Sequence, residues 1–103
     1  MPIKLLWRPA ARRDFKALYL ELGRLNQPAA ERYAAEIQQK ILRLAEHPRM
    51  GPRRREVFRT ARMLVVAPFV ILYEIEPDLD EGDVQIVEIV RIVDGRRDLP
   101  GLF

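Results

Sequence analysis

The sequence predicts an α+β domain in the order β-α-α-β-β-β. An N-terminal strand leads into an antiparallel two-helix hairpin, then a three-stranded antiparallel meander, with the helices packed on one sheet face. Three observations carry this expectation. Apolar residues recur at helical spacing from Phe15 to Leu44, they alternate at strand spacing from Leu64 to Ile92, and prolines stand where the period changes.

Ile3, Leu5 and Trp7 alternate with Lys4, Leu6 and Arg8, the pattern of a short strand with one face toward a core. Pro9 ends it and opens the first helix, where its missing N–H has no intrahelical partner to lose. Phe15, Leu18, Tyr19 and Leu22 form the apolar stripe of that helix, which is expected to stop near Gly23 or Leu25. Pro28 opens a second helix, with Glu31 in its first turn and a stripe of Ala30, Tyr33, Ile37, Ile41 and Leu44. His47-Pro48 closes it, because the residue before proline is pushed out of helical geometry. The short connection makes the two helices an antiparallel hairpin.

Past that point the period drops to two. Leu64 and Val66, then Phe69, Ile71, Tyr73 and Ile75, then Ile86, Val90 and Ile92 give three strands. Pro68 marks the first break, and Pro77 to Gly82 carries an acidic turn before a last strand beginning near Val84. Strands joined so closely pair antiparallel, and the tail leaves the sheet at Gly95. Neither the hairpin nor the sheet can bury its apolar side alone, so the one covers the other.

At 103 residues, 49% hydrophobic and 32% charged, residues 1–103 read as one globular domain. No cysteine is present, which excludes disulfides and thiolate metal sites; no cofactor or metal is expected. The opening Met-Pro-Ile-Lys-Leu-Leu-Trp-Arg has too short an apolar run for a signal peptide, and no stretch has membrane-spanning length. The reading is a cytoplasmic protein without a membrane partner.

Charge is distributed unevenly. Arg49 to Arg62 holds six arginines against one glutamate, and Glu74, Glu76, Asp78, Asp80, Glu81 and Asp83 crowd the later turn, although the net charge is only +3. Lysine occurs only at Lys4, Lys16 and Lys40, so the cationic chemistry is that of guanidinium, which grips carboxylate or phosphate in bidentate fashion. The arginine segment is therefore the expected meeting point with an anionic partner, the alternative being plain solvated loop charge. Two leucines fall off the helical stripes, Leu20 by about 140° from Phe15 and Leu42 by about the same from Ile37. Both are expected on the surface.

The run Trp7-Arg8-Pro9-Ala10-Ala11-Arg12-Arg13-Asp14-Phe15 resembles the opening of ParE-type toxins, in the RelE/ParE superfamily of bacterial type II toxin–antitoxin systems. Asn26-Gln27-Pro28-Ala29-Ala30, His47-Pro48-Arg49-Met50-Gly51, Arg62-Met63-Leu64, Pro68-Phe69-Val70-Ile71-Leu72-Tyr73 and Val93-Asp94-Gly95-Arg96-Arg97-Asp98 are similar to later family segments, in family order. Together they cover nearly the whole chain. There are two departures: Arg8 stands where relatives usually place a Ser or Thr helix cap, and Asp94 stands where many carry histidine before Gly95.

The resemblance implies one of two activities. RelE-type relatives are ribosome-dependent mRNA endoribonucleases, which need proton-transfer groups beside cations; ParE-type relatives poison DNA gyrase on its cleaved DNA and perform no chemistry. The residues favour the second. His47 is the sole histidine and sits at a helix end, Tyr73, Tyr33 and Tyr19 read as packing residues, and Asp94 is held ionised by Arg91, Arg96 and Arg97. Arginine is too weak an acid to replace them.

No catalytic residue is therefore assigned. Target binding is expected of Arg53, Arg54, Arg55, Arg59 and Arg62, supported by Arg96 and Arg97, with Arg62 alternatively a structural side chain bonded to Asp94 or Glu88. The implied partners are the DNA gyrase–DNA complex and a cognate ParD-like or related antitoxin in a hetero-oligomer. The antitoxin surface would comprise Arg12, Arg13, Leu20 and Leu42, met by an amphipathic acidic segment, with strand addition at a sheet edge as a second contact. A simple nucleic-acid-binding module is a third reading, weakened by the lack of an exposed aromatic platform on the strands.

Overall fold

The computed structural model describes residues 2–103 and has the expected order of elements. Strand β1 (Lys4–Trp7) is followed by helices α1 (Pro9–Leu25) and α2 (Gln27–Arg43), then by β2 (Arg62–Val66), β3 (Phe69–Glu76) and β4 (Ile86–Asp94), with a last 3-10 turn at Pro100–Leu102. The sheet order is β1-β4-β3-β2. The meander is antiparallel throughout, whereas β1 lies parallel to β4, with Trp7 opposite Ile89. The sheet is thus mixed, with a parallel pair on one edge.

Element boundaries follow local chemistry. Pro9 is the first residue of α1 and Arg8 contributes no side-chain cap, as its chemistry dictates. Asn26 ends α1 and caps α2, accepting from Ala29 N–H at 3.0 Å, so the hairpin turns on a single residue. Two expectations shift. The second helix ends at Arg43, and His47 lies beyond it in a turn whose N–H donates to the Arg43 carbonyl. The last strand begins at Ile86, just after Gln85, whose N–H donates to the Glu76 carbonyl across the turn.

The helices cover one sheet face. Ala11, Ile37, Ile41 and Leu44 meet Leu64, Val66, Ile71, Tyr73, Ile75, Val87, Ile89 and Ile92, with Trp7 edge-on to Phe15 and Tyr33 edge-on to Phe69. A register shift beside Leu72 and Tyr73 leaves Val90 as an extra residue on β4. That bulge reverses the alternation, so Val87 and Ile89 before it and Ile92 after it all face the helices.

The opposite sheet face is also covered. Val57, Ala61, Met63, Val70, Leu72, Val93 and Leu99 form a second cluster, with Phe58 and Leu102 against it. The tail that leaves the sheet at Gly95 folds back, and Phe103 packs on Phe58 with ring centroids 4.7 Å apart. The segment between α2 and β2 is therefore clamped between sheet and tail.

Candidate functional site

The arginine segment is built on a buried tyrosine. Tyr73, fully buried on β3, accepts a hydrogen bond from Gly51 N–H at 2.8 Å and donates to the Pro48 carbonyl at 2.9 Å. Burial raises its pKa, so the phenol stays neutral and acts as a tether. Gly51 is required here for a steric reason: a Cβ would lie 2.7 Å from the Met63 carbonyl oxygen and 2.7 Å from the tyrosine ring. Beyond it Met63 N–H donates to Pro52 and Arg54 N–H to Ala61, which turns the loop into a short flap along β2. Val57, Phe58 and Ala61 then pin it to the sheet.

The arginines so placed fall into two groups. Arg62 is buried at 5% exposure; its Nη1 donates to the Gly51 carbonyl at 3.0 Å and its Nη2 lies 3.7 Å from Asp80. Its partners are not Asp94 or Glu88, the two expected for a structural role, because Glu88 is taken by Arg8 and Asp94 by Arg96. Arg53 donates from Nη1 to Asp78 at 2.8 Å and from Nε to Asp80 at 3.0 Å. Arg49 donates to the Leu79 and Gly82 carbonyls at 2.9 and 3.0 Å. The acidic turn and the basic segment, separated in sequence, thus lie against each other.

Outward from that junction, Arg54 pairs with Glu56 at 2.9 Å, while Arg55 and Arg59 are exposed and form no ion pair among the described residues. Arg96 grips Asp94 and holds its carboxyl at about 2, first through the side-chain hydrogen bond. Arg97 is exposed and also without an ion pair among the described residues. Arg91, expected beside Asp94, instead forms a bidentate pair with Asp14 of α1, at 2.7 and 3.0 Å. Asp14 also accepts from Ile92 N–H, satisfying the edge of β4 that β1 is too short to reach.

Arg8, where a cap was missing, has a different task. Glu74 and Glu88 stand directly opposite each other on β3 and β4, a repulsive pairing. Arg8 donates to both, at 2.9 Å to Glu88, and Thr60 donates to Glu74 at 2.7 Å. Thr60 thereby fixes the far end of the arginine loop. Neither contact was visible in the sequence, because both glutamates alternate with core-facing residues and read as ordinary charges on the other sheet face.

The sole histidine lies beside Arg49, at the start of the arginine segment. His47 is exposed and lines an open groove of about 530 Å³ with Arg43 and Arg49, whose Nε and Nη1 are engaged by backbone carbonyls. Tyr19, read as a packing residue, instead joins the helices at the surface through Glu31 and Gln27. Tyr33 packs as expected.

The helical side presents a second surface. Leu20 and Leu42 are 55% and 64% exposed, as their angular positions require. Leu42 borders a groove of about 360 Å³ with Leu5, Trp7, Gln38 and Ile41, and Arg12 lies over the Trp7 ring at 5.7 Å. Arg13 is exposed one residue on, and Leu20 lies outside the groove lining. No described helix is long and apolar enough to cross a membrane.

The family model described as ParE toxin of type II toxin–antitoxin system, parDE, matches residues 5–99. A solved structure described as the chromosomal ParDE toxin–antitoxin system from P. aeruginosa superposes with a TM-score of 0.69, covering 89% of this chain and 95% of that one at 22% identity. At that identity the likeness is one of fold. No curated protein matches.

Proposed function

Since the chain belongs to the ParE toxin family of type II toxin–antitoxin systems, we propose that it is a non-catalytic toxin of the cytoplasm that binds the DNA gyrase–DNA complex through its arginine loop and stabilises cleaved DNA. One observation carries this reading. The loop presents the exposed guanidinium groups of Arg55 and Arg59 on a segment tethered to Tyr73 and packed on the sheet, and among the described residues neither forms a hydrogen bond or ion pair with a histidine, tyrosine or carboxylate side chain. Such a surface can grip phosphates and cannot readily cut them.

The residues take different parts. Arg55 and Arg59 meet the target first, with Arg54 beside them and Arg96 and Arg97 in support from the tail. Arg53 and Arg62 stand behind, engaged with Asp78, Asp80 and Gly51. The test is Arg55→Gln with Arg59→Gln. The double variant should keep its fold and lose gyrase-dependent DNA cleavage by at least about tenfold, since each arginine withdrawn from a phosphate weakens binding several-fold. Full cleavage activity in a folded double variant would remove the loop from the target surface.

The same reading gives the toxin a cognate ParD-like antitoxin in a hetero-oligomer. The groove beside Leu42 suits the apolar face of a helix, and Arg12 and Arg13 suit acidic residues on its rim. Leu20→Asp with Leu42→Asp should weaken antitoxin binding by about tenfold or more while leaving the fold intact. Unchanged affinity would move the antitoxin elsewhere.

A further inference from the structure

Among the described residues of the arginine segment, Arg53 alone is held by two carboxylates, and both come from the acidic turn at 77–83. The grip is unequal. The Arg53 side chain is only 18% exposed and Asp78 31%, whereas Asp80 is 78% exposed. Of the two carboxylates, that of Asp80 is the one open to solvent, and so the one that an incoming phosphate oxygen can replace. The turn is fastened independently of this pair, by Arg49 on the Leu79 and Gly82 carbonyls and by Gly82 at φ 91°, where glycine alone turns without strain. Releasing Asp80 therefore leaves the turn anchored.

We propose that the 77–83 turn is an internal competitor for the DNA backbone: Asp78 and Asp80 occupy Arg53 in the isolated protein, and a DNA phosphate displaces Asp80 when the loop engages. This rests on the reading that the arginine loop binds DNA. Arg55 and Arg59 touch DNA first, and Arg53 joins only once a phosphate replaces the aspartate. The turn thus lowers affinity for bare duplex and leaves full engagement to a partner that holds DNA against the loop.

The test is anisotropy titration of a labelled duplex of about 20 base pairs, from about 50 to about 200 mM salt. Asp78→Asn with Asp80→Asn is compared with Glu81→Gln with Asp83→Asn, which changes charge equally at residues that form no ion pair among those described. The first pair should bind more tightly than the second, with a log–log salt slope steeper by about 0.9, the increment for one more neutralised phosphate. Adding Arg53→Gln should return both quantities to the level of the charge-matched pair. Asp80→Asn alone, at a mostly exposed side chain, should move in the same direction and secures the result if the double variant melts early.

Equal affinity increases from the two charge-matched pairs would overturn the proposal, as would an increase that persists without Arg53. Arg55→Gln with Arg59→Gln separates the two levels. If it weakens duplex binding while the charge-matched pairs behave alike, the turn is no competitor and the loop reading stands. If it has no effect, or if no form binds the duplex at the lowest salt, the loop reading falls and the proposal falls with it.

Discussion

Tyr73 holds the arginine loop by one hydroxyl, which satisfies Gly51 N–H inside the protein. Tyr73→Phe leaves that donor without a partner, and the expected loss is about 1–3 kcal/mol in urea denaturation. A loss near zero would mean the loop is held by its apolar contacts alone. Asp94 gives a residue-scale prediction in pH. Its carboxyl is held at about 2 by Arg96, below the ordinary 3.8, so the pair contributes stability that is complete above 3.8 and disappears as pH falls through about 2. Asp94→Asn should therefore lower the Tm at pH 7, and by progressively less as pH falls from 3.8 through about 2. His47→Gln should leave toxicity unchanged, because the imidazole is exposed in an open groove and makes no side-chain hydrogen bond among the described residues.

At the scale of elements, the tail and the arginine loop act as one layer. Leu99 is buried among Val57, Ala61 and Val93, and Leu99→Ala should cost about 2–4 kcal/mol. The diagnostic effect is local: hydrogen exchange should quicken at Val57 and Ala61, whose N–H groups bond within the loop, more than at Ile37 or Ile41 in α2. Helix and strand identities were legible in the sequence because periods of 3.6 and 2 are directly encoded by burial on one face. The partner of β1 was not, since four alternating residues specify a buried face without specifying a neighbour. The bulge at Val90 escaped for a related reason. Glu-Ile-Val-Arg-Ile-Val reads as continuous alternation broken once, and only the register against β3 shows which residue is extra. Arg62 likewise reads as one more cation until its burial and its bond to Gly51 are seen.

At the scale of the whole molecule, the two sheet faces do different work. The helical face holds the main core and carries the Leu42 groove, while the opposite face carries the clamped arginine layer. Separate faces for antitoxin and target follow from the proposed reading, with neutralisation acting by obstruction or by charge. The sequence suggested two opposed charge blocks able to steer a partner; the folded chain brings them together and leaves Arg55, Arg59 and Arg97 facing outward. That meeting lies beyond sequence reasoning, because oppositely charged segments some 25 residues apart come together only through the path of β3.

The central claim is that this toxin acts on gyrase without chemistry of its own. It is tested most directly by giving one purified preparation to gyrase with supercoiled DNA and, in parallel, to ribosomes translating a defined message. The account predicts gyrase-dependent cleaved DNA and an intact message. Message cut at ribosome-positioned codons, with gyrase unaffected, would contradict it.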